Sequence, residues 1–134
     1  MGVKCRYHGE ERHYEKAEKL KGEEGLVPVC PEQLGGLPTP REPSEIRKME
    51  DGTARVFGKS GRDLTENFKK GAEEALRIAK MLGIKEAVFK QESASCGCGK
   101  IHDGTFKGNV VEGDGITTAL LKENGIKVIS EEDL

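Results

Sequence analysis

The sequence is poor in aromatic residues, has no tryptophan and contains no long apolar stretch. Hydrophobic residues make up 34% and aromatic residues 4% of the 134 residues, so we expect one small, mainly aliphatic core. No run of about 18 apolar residues occurs, which predicts that no segment spans a membrane. The opening stretch MGVKCRYHG lacks the apolar core of a signal peptide, and we therefore expect a cytoplasmic protein.

An excess of basic charge is also missing. Lys and Arg number 22 against 24 Asp and Glu, which gives a net charge of −2. Proteins that bind nucleic acid through its phosphates usually carry a basic excess or patch. The densest basic stretch here is NFKKG, which is typical of a solvated helix face. The charge pattern therefore disfavours a large nucleic-acid surface.

Two helices are predicted from the spacing of apolar residues. The first begins at a cap on Asp63 or Thr65, runs to about Leu82 and ends at Gly83. The second is ITTALLKENG, with Asp114 as its expected cap. Both helices follow apolar periodicities close to 3.6 residues, which indicates that each has one buried face.

Short apolar runs predict strands at 26–30 and 54–57 and in the segments EAVFKQ and IKVIS. Strands alternating with helices predict a single three-layer, Rossmann-like α/β domain over residues 1–134, with a mainly parallel sheet. Ligands of such sheets bind at the carboxyl ends of the strands. Cys30 ends one predicted strand and the SASCGCG loop follows another. We therefore expect cysteines from two strands at one edge.

The four cysteines indicate either metal ligation or reactive thiols, because disulfides are rare in the cytoplasm. A role as a small core residue suits Cys30 but not Cys96 and Cys98, whose glycine neighbours offer nothing to pack against. Glycine beside a ligating cysteine lets backbone amides turn toward the sulfur. The spacing lacks the paired knuckles of a zinc ribbon. We interpret Cys30 and Cys96 as ligands of a metal or an iron–sulfur cluster.

Four polar residues near these cysteines are candidates for chemistry. Glu32 follows Cys30 in a loop stiffened by proline and glycine, and it is either a surface carboxylate or a general acid/base. Arg41, between Pro40 and Glu42, suits a planar or anionic substrate. Ser93 and Ser95 either form turns or hydrogen-bond to sulfur or substrate.

Three segments carry a resemblance to a known family. They are GVKCRYHG, CPEQLGGLPTPREPSEI and DLTENFKKGAEEALRIAKMLGIKEAVFKQESASCGCGKIHDGTFKGNVVEGDGITTALLKENGI. Together they cover nearly the whole chain, in order, and resemble the small iron–sulfur family of thiouracil desulfidases. The resemblance implies an α/β domain in which three cysteines hold a 4Fe–4S cluster and the fourth iron is open to sulfur of a thiolated pyrimidine. It assigns ligand positions to Cys30 and Cys96 and catalytic positions to Glu32, Ser93 and Ser95.

The chain departs from the family pattern at its start. The family opens with an apolar strand and a C-L-L-G motif that supplies its third cluster cysteine. Gly2 falls on the final glycine of that motif, so we expect the N-terminal strand and its cysteine to be missing from this chain. Candidates for the third ligand are Cys5, Cys98 or a cysteine upstream of Met1.

The expected activity is a non-redox desulfidation of a base such as 2- or 4-thiouracil. The cluster acts as Lewis acid and sulfur acceptor, and Glu32 activates water. A thiouridine in tRNA is a variant substrate, disfavoured by the near-neutral charge. Two rival functions are an iron–sulfur or metal-binding sensor or carrier without catalysis, and a truncated family member without a cluster.

Overall fold

A computed structural model describes residues 27–133 of the chain. The predictions that fall on residues 1–26, including the one for Cys5, lie outside this part. The described elements are, in chain order, α1 (Pro31–Leu34), β1 (Ser44–Lys48), β2 (Ala54–Gly58), α2 (Thr65–Leu82), β3 (Glu86–Phe89), β4 (Lys100–His102), β5 (Val110–Glu112), α3 (Ile116–Glu123) and β6 (Lys127–Ser130). A 3₁₀ turn (Glu131–Asp133) follows. The predicted mixture of helices and strands is confirmed.

The strands form three separate pairs in the described residues. β3 and β6 pair in parallel, with Glu86 opposite Lys127, and α3 lies between them in the chain. β1 with β2 and β4 with β5 are antiparallel hairpins. The expected mainly parallel sheet is therefore not confirmed, because only the β3–β6 pair is parallel.

The prediction of a strand at 26–30 is wrong for its described part, since residues 27–30 pair with no strand. Pro28 has no amide hydrogen to donate to a ladder, and Pro31 follows directly. Cys30 is extended, with φ −124° and ψ 101°, and it is the residue before the first turn of α1. Pro31 stands at the first helical position, where its missing amide hydrogen costs nothing. The chain therefore passes from extended backbone directly into a short helix.

The long helix α2 matches its prediction closely. Its buried residues recur every three or four positions: Phe68, Ala72, Ala75 and Ala79. Gly83 ends it in the left-handed conformation at φ 67°, which glycine adopts without strain. Asp63 accepts a hydrogen bond from the Thr65 amide at 2.9 Å and so satisfies one of the free amides of the first turn.

Two hydrophobic clusters make up the described core. The first surrounds Phe68, with Val56 and Ile101 among its members, and lies between α2 and the hairpins. The second joins α2 and α3 to β3 and β6 through Phe89, Leu121 and Val128. No helix in the described part is both long enough and apolar enough to cross a membrane.

Candidate thiol site

The short helix α1 places Cys30 and Glu32 beside Arg41. The Arg41 Nε donates to Glu32 Oε2 at 2.6 Å, and its Nη2 lies 3.9 Å from the Cys30 sulfur. Its Nη1 donates to the Thr39 hydroxyl at 2.9 Å. The Arg41 side chain is only 6% exposed and that of Glu32 is 19% exposed. The guanidinium therefore bridges the carboxylate and the sulfur from the buried side.

Contact between two backbones holds α1 in place. Pro31 of α1 and Gly35, the residue after α1, lie against Asn67 and Gly71 of α2. A β-carbon on Gly71 would overlap the Pro31 carbonyl, and one on Gly35 would overlap the Asn67 carbonyl. The glycine at position 71 is costly in a helix interior, but it allows α1 to approach this closely. The long helix thus fixes the segment that carries Cys30 and Glu32.

The loop with Cys96 is shaped by its own side chains. The Ser93 hydroxyl accepts hydrogen bonds from the amides of Ser95 and Cys96, each at 3.1 Å. The Gln91 amide group forms two hydrogen bonds with the backbone of Cys98, one in each direction and both at 2.8 Å. Ser93 therefore forms a turn, and Gln91 clamps the far side of the loop.

The same loop is joined to the first turn of α3. The amides of Gly115, Ile116 and Thr117 donate to the carbonyls of Gly97, Ala94 and Ser95 at 2.8 to 2.9 Å. The prediction of Asp114 as cap is wrong, because Gly115 is the cap residue and makes no side-chain bond. The Asp114 carboxylate instead accepts from the Gly99 amide at 2.8 Å and from Lys122. Loop carbonyls thus take the place of a capping side chain.

The ionisation of Cys96 is affected by residues of the α1 segment. Burial raises the pKa of the Cys96 thiol to about 12, a hydrogen bond from Ser95 opposes this rise, and the charges of Glu32 and Cys30 add to it. Glu32 and Cys30 therefore lie close enough to Cys96 to affect its ionisation, although most of the described chain separates them in sequence. Cys30 and Cys96 thus lie within range of each other's charge, although Cys30 precedes a helix and does not end a strand as predicted.

Cys98 points elsewhere. Its thiol donates to the Val128 carbonyl of β6 at 3.4 Å, and it packs against the second hydrophobic cluster near Lys122. Within residues 27–133, no set of three His, Cys, Asp or Glu side chains is placed to hold a metal ion. Of the three cysteines in the described residues, Cys98 is therefore directed away from Cys30 and Cys96.

The donor chemistry of this pair fits an iron–sulfur cluster. Thiolates are the usual ligands of such clusters, and hydrogen bonds to their sulfurs tune them. The Cys30 sulfur has such a donor nearby, the Arg41 Nη2 at 3.9 Å. Arg41 already supplies positive charge beside Glu32 and Cys30, and a bound cluster would supply more, which would favour the thiolate form of Cys96.

Comparison with known proteins decides the family. A family model described as 2-thiouracil desulfurase matches residues 1–133. The chain belongs to the 2-thiouracil desulfurase family. This member is 44% identical over 138 residues to the uncharacterized protein YbbK of Bacillus subtilis (strain 168), covering 99% of this chain and 91% of YbbK. It also matches the solved structure of the 4Fe-4S-dependent thiouracil desulfidase TudS, with a TM-score of 0.88 and 42% identity, covering 99% of this chain and 86% of that one.

The structure of this 2-thiouracil desulfurase family member also contains a feature that sequence reasoning missed. An open groove of about 820 Å³ lies between α2, α3 and the two hairpins. Ala72, Ile101 and Leu120 line it, together with His102, but none of the predicted site residues within 27–133 does. The His102 Nδ1 is buried and has no hydrogen-bond partner. The groove brings together residues from two helices and two hairpins, so no local motif marks it.

Proposed function

We propose that this protein removes sulfur from a thiolated pyrimidine base of the 2- or 4-thiouracil type, using a 4Fe–4S cluster bound by Cys30, Cys96 and a third thiol. The observation that carries the proposal is the convergence of Cys30, Glu32 and Cys96 at one site. Membership of the family and the likeness to TudS support it. The same proposal includes a three-layer Rossmann-like domain, of which β3, β6 and the helices α2 and α3 are the described part.

The third ligand is proposed to be Cys5 rather than Cys98. The Cys98 thiol is engaged by the Val128 carbonyl and packs in the second hydrophobic cluster. A ligand at Cys98 requires this contact to break and the Gln91 clamp to open. Cys5, which lies outside the described residues, is the remaining cysteine of the four in the sequence. Three thiolates leave one iron without a protein ligand, as catalytic metal sites require.

The chemistry expected is an exchange of sulfur for oxygen. The cluster, when bound, supplies a Lewis acid and an acceptor for sulfur. The Glu32 Oε2 accepts a hydrogen bond from Arg41, and the other carboxylate oxygen of Glu32, Oε1, has no hydrogen bond within the described residues. We assign this oxygen to take a proton from the water that attacks the ring carbon of the thiocarbonyl group. Thiocarbonyl and water become carbonyl and hydrogen sulfide, so carbon and sulfur keep their oxidation states and no reductant is consumed.

Arg41 has a different role in this proposal from the one predicted from sequence. Its guanidinium is used by Glu32, Thr39 and the Cys30 sulfur. Binding a substrate anion would require Arg41 to leave these partners. We therefore propose that Arg41 orients Glu32, and that binding of substrate by Arg41 is secondary. The near-neutral charge of the chain favours a free base over tRNA.

Glu32→Gln tests the catalytic part of the proposal. Glutamine keeps the shape but cannot accept the proton, so we expect unchanged iron and sulfide content and turnover reduced at least about a hundredfold. The measurement is the loss of thiocarbonyl absorbance of a thiouracil under anaerobic conditions, with released sulfide measured in parallel. If Glu32→Gln turns over as fast as the parent, Glu32 is not the base. A parent protein that binds the cluster but has no turnover is a sensor or carrier.

Single cysteine replacements test the ligand set. Cys30→Ala and Cys96→Ala are expected to abolish the broad visible absorbance of the reconstituted cluster, and Cys5→Ser to do the same. Cys98→Ser is the matched control, because its thiol faces β6. Full iron content in Cys96→Ala contradicts the assignment. Loss of iron in Cys98→Ser, with full iron content in Cys5→Ser, would show that the third ligand is Cys98 and not Cys5.

A further inference from the structure

The segment after α1 folds back on the helix and holds Thr39 in place. The Leu37 amide donates to the Glu32 carbonyl at 3.1 Å, and the Leu37 side chain is buried in the first hydrophobic cluster. Thr39 is half-buried and stands between Pro38 and Pro40, whose rings fix their own φ angles. Thr39 therefore belongs to a stiff segment that is tied both to α1 and to the core.

The Thr39 hydroxyl accepts a hydrogen bond from the Arg41 Nη1 at 2.9 Å. This bond has only one possible direction, because a guanidinium group carries donors and no acceptor. The Pro38 carbonyl lies farther from the same Nη1, at 3.3 Å. The Gln33 Nε2 of α1 donates to the Thr39 hydroxyl at 2.8 Å. The hydroxyl is thus held by the helix on one side and binds Arg41 on the other.

The contacts of Arg41 decide how its planar guanidinium lies. Its Nε donates to Glu32 Oε2 at 2.6 Å, and its side chain is only 6% exposed. A hydrogen bond at Nε alone leaves the plane free to turn, whereas a second acceptor at Nη1 fixes it. The Thr39 hydroxyl makes the shorter of the two described bonds at Nη1. The position of the Glu32 carboxylate therefore depends on Thr39 through Arg41.

We propose that Thr39 is a positioning residue that fixes the Arg41 guanidinium and thereby holds the Glu32 carboxylate in place as the general base. This inference rests on the proposed function. A general base must stay within hydrogen-bond reach of the proton that it takes. Without the Thr39 hydroxyl, Arg41 keeps its charge but no longer holds Glu32 Oε2 at one place. Thr39 does not contact the substrate in this scheme, so its effect falls on kcat and not on KM.

Kinetics of the protein with its reconstituted cluster test the effect on turnover. Thr39→Val keeps the shape of the side chain and removes the acceptor. We expect kcat for thiouracil, per bound cluster, to fall about tenfold with KM unchanged, because a hydrogen bond to a charged group is worth about that factor. Thr39→Ser keeps the hydroxyl and is expected to recover most of the turnover. Thr53→Val is the matched control, since the Thr53 hydroxyl bonds to Asp51 at 2.6 Å in the exposed turn between β1 and β2.

The double variant Glu32→Gln/Thr39→Val tests whether Thr39 acts through Glu32. Because Glu32→Gln already removes the base, adding Thr39→Val is expected to cause no further loss of kcat. Three outcomes overturn the inference. They are a further loss of about tenfold in the double variant, a raised KM with unchanged kcat in Thr39→Val, and a Thr39→Ser protein as slow as Thr39→Val.

Hydrogen exchange of the Arg41 Nε–H tests the geometry without any activity. The exchange rate is measured by ¹⁵N NMR on the full chain before iron is added. We expect Thr39→Val to raise this rate at least about tenfold, and Thr39→Ser and Thr53→Val to stay close to the parent. Equal rates in Thr39→Val and the parent overturn the inference even if turnover falls. If Thr39→Val does not bind the cluster, these rates decide, because they require no cluster.

These outcomes are separate from those of the proposed function. A parent protein that binds the cluster but does not desulfurise thiouracil contradicts the function, and the exchange rates still show whether Thr39 holds Arg41. An active parent, with Thr39→Val and Thr53→Val alike in kcat and in exchange, contradicts only the role of Thr39.

Discussion

Gly71→Ala makes the sharpest test of how the fold positions the thiol site. In an isolated helix this substitution stabilises by about 1 kcal/mol, because glycine is a poor helix former. Here the new methyl group would overlap the backbone carbonyl of Pro31 and crowd the Gly35 amide. Neither group is the end of a flexible side chain, so the whole of α1 has to move away from α2.

The magnitude follows from two opposing effects. Overpacking of this kind costs about 1–3 kcal/mol, which offsets the gain in helix propensity and leaves a net loss of about 1 kcal/mol. The effect on function is larger, since α1 carries Cys30 and Glu32. A displacement of catalytic groups on the order of 1 Å lowers rates about a hundredfold. Cluster binding is expected to weaken as well, because the distance between Cys30 and Cys96 changes.

Urea denaturation of the cluster-free protein measures the stability change, and iron content with thiouracil turnover measures the functional one. Lys70→Ala is the control, because Lys70 is the exposed neighbour of Gly71 on α2. It is expected to match the parent in all three measurements. A Gly71→Ala protein that is about 1 kcal/mol more stable than the parent, with full iron content and turnover, refutes the argument that backbone contact fixes α1.

Two further predictions concern the scaffold. The pKa of Asp63 is lowered from 3.8 to about 2, first by the hydrogen bonds from Thr65 and then by Arg55. Because the pKa is lower in the folded state, this stabilisation is present above about pH 4 and is lost as the pH falls toward 2. Asp63→Asn should therefore melt at a lower temperature than the parent at neutral pH. Its acid transition should lack the contribution from Asp63. Phe68 is 1% exposed and belongs to the first hydrophobic cluster. Phe68→Ala is expected to lower the free energy of unfolding, measured by urea denaturation, by about 3–5 kcal/mol. A loss below about 1 kcal/mol would contradict the placement of Phe68 in the core.

The parts of the fold that could be predicted from the sequence are those with strong periodicity. The buried apolar positions of α2 recur from Phe68 to Ala79, over about three turns, and Gly83 ends the helix where expected. The hairpin of β4 and β5 was not predicted, because its strands have three residues each and carry no clear alternation. The short helix α1 was not predicted either, since prolines and glycines around it suggested an irregular loop.

The candidate site shows the same division between local and non-local signals. Glycines beside Cys96 and a carboxylate close to Cys30 indicated a metal or cluster site from local composition alone. Thr117 gave no such signal, because its contact with Ser95 depends on how α3 meets the cysteine loop. The flanking residues Pro40 and Glu42 predict a fixed arginine at position 41, but only the folded chain shows that its partners are Glu32 and Cys30.

The spacing of the two thiols is set by the packing of the two helices. Helix α1, which carries Cys30, rests on α2 through the glycine contact at position 71, and the Cys96 loop rests on α3 through Gly115. A β-carbon on Gly115 would overlap the Ser95 carbonyl, so this second contact is also one of backbone on backbone. Helix α2 in turn packs directly on α3, which connects the two backbone contacts. A domain with a small aliphatic core can thereby keep the Cys30 and Cys96 segments in a fixed relation, as the proposed cluster of fixed size would require.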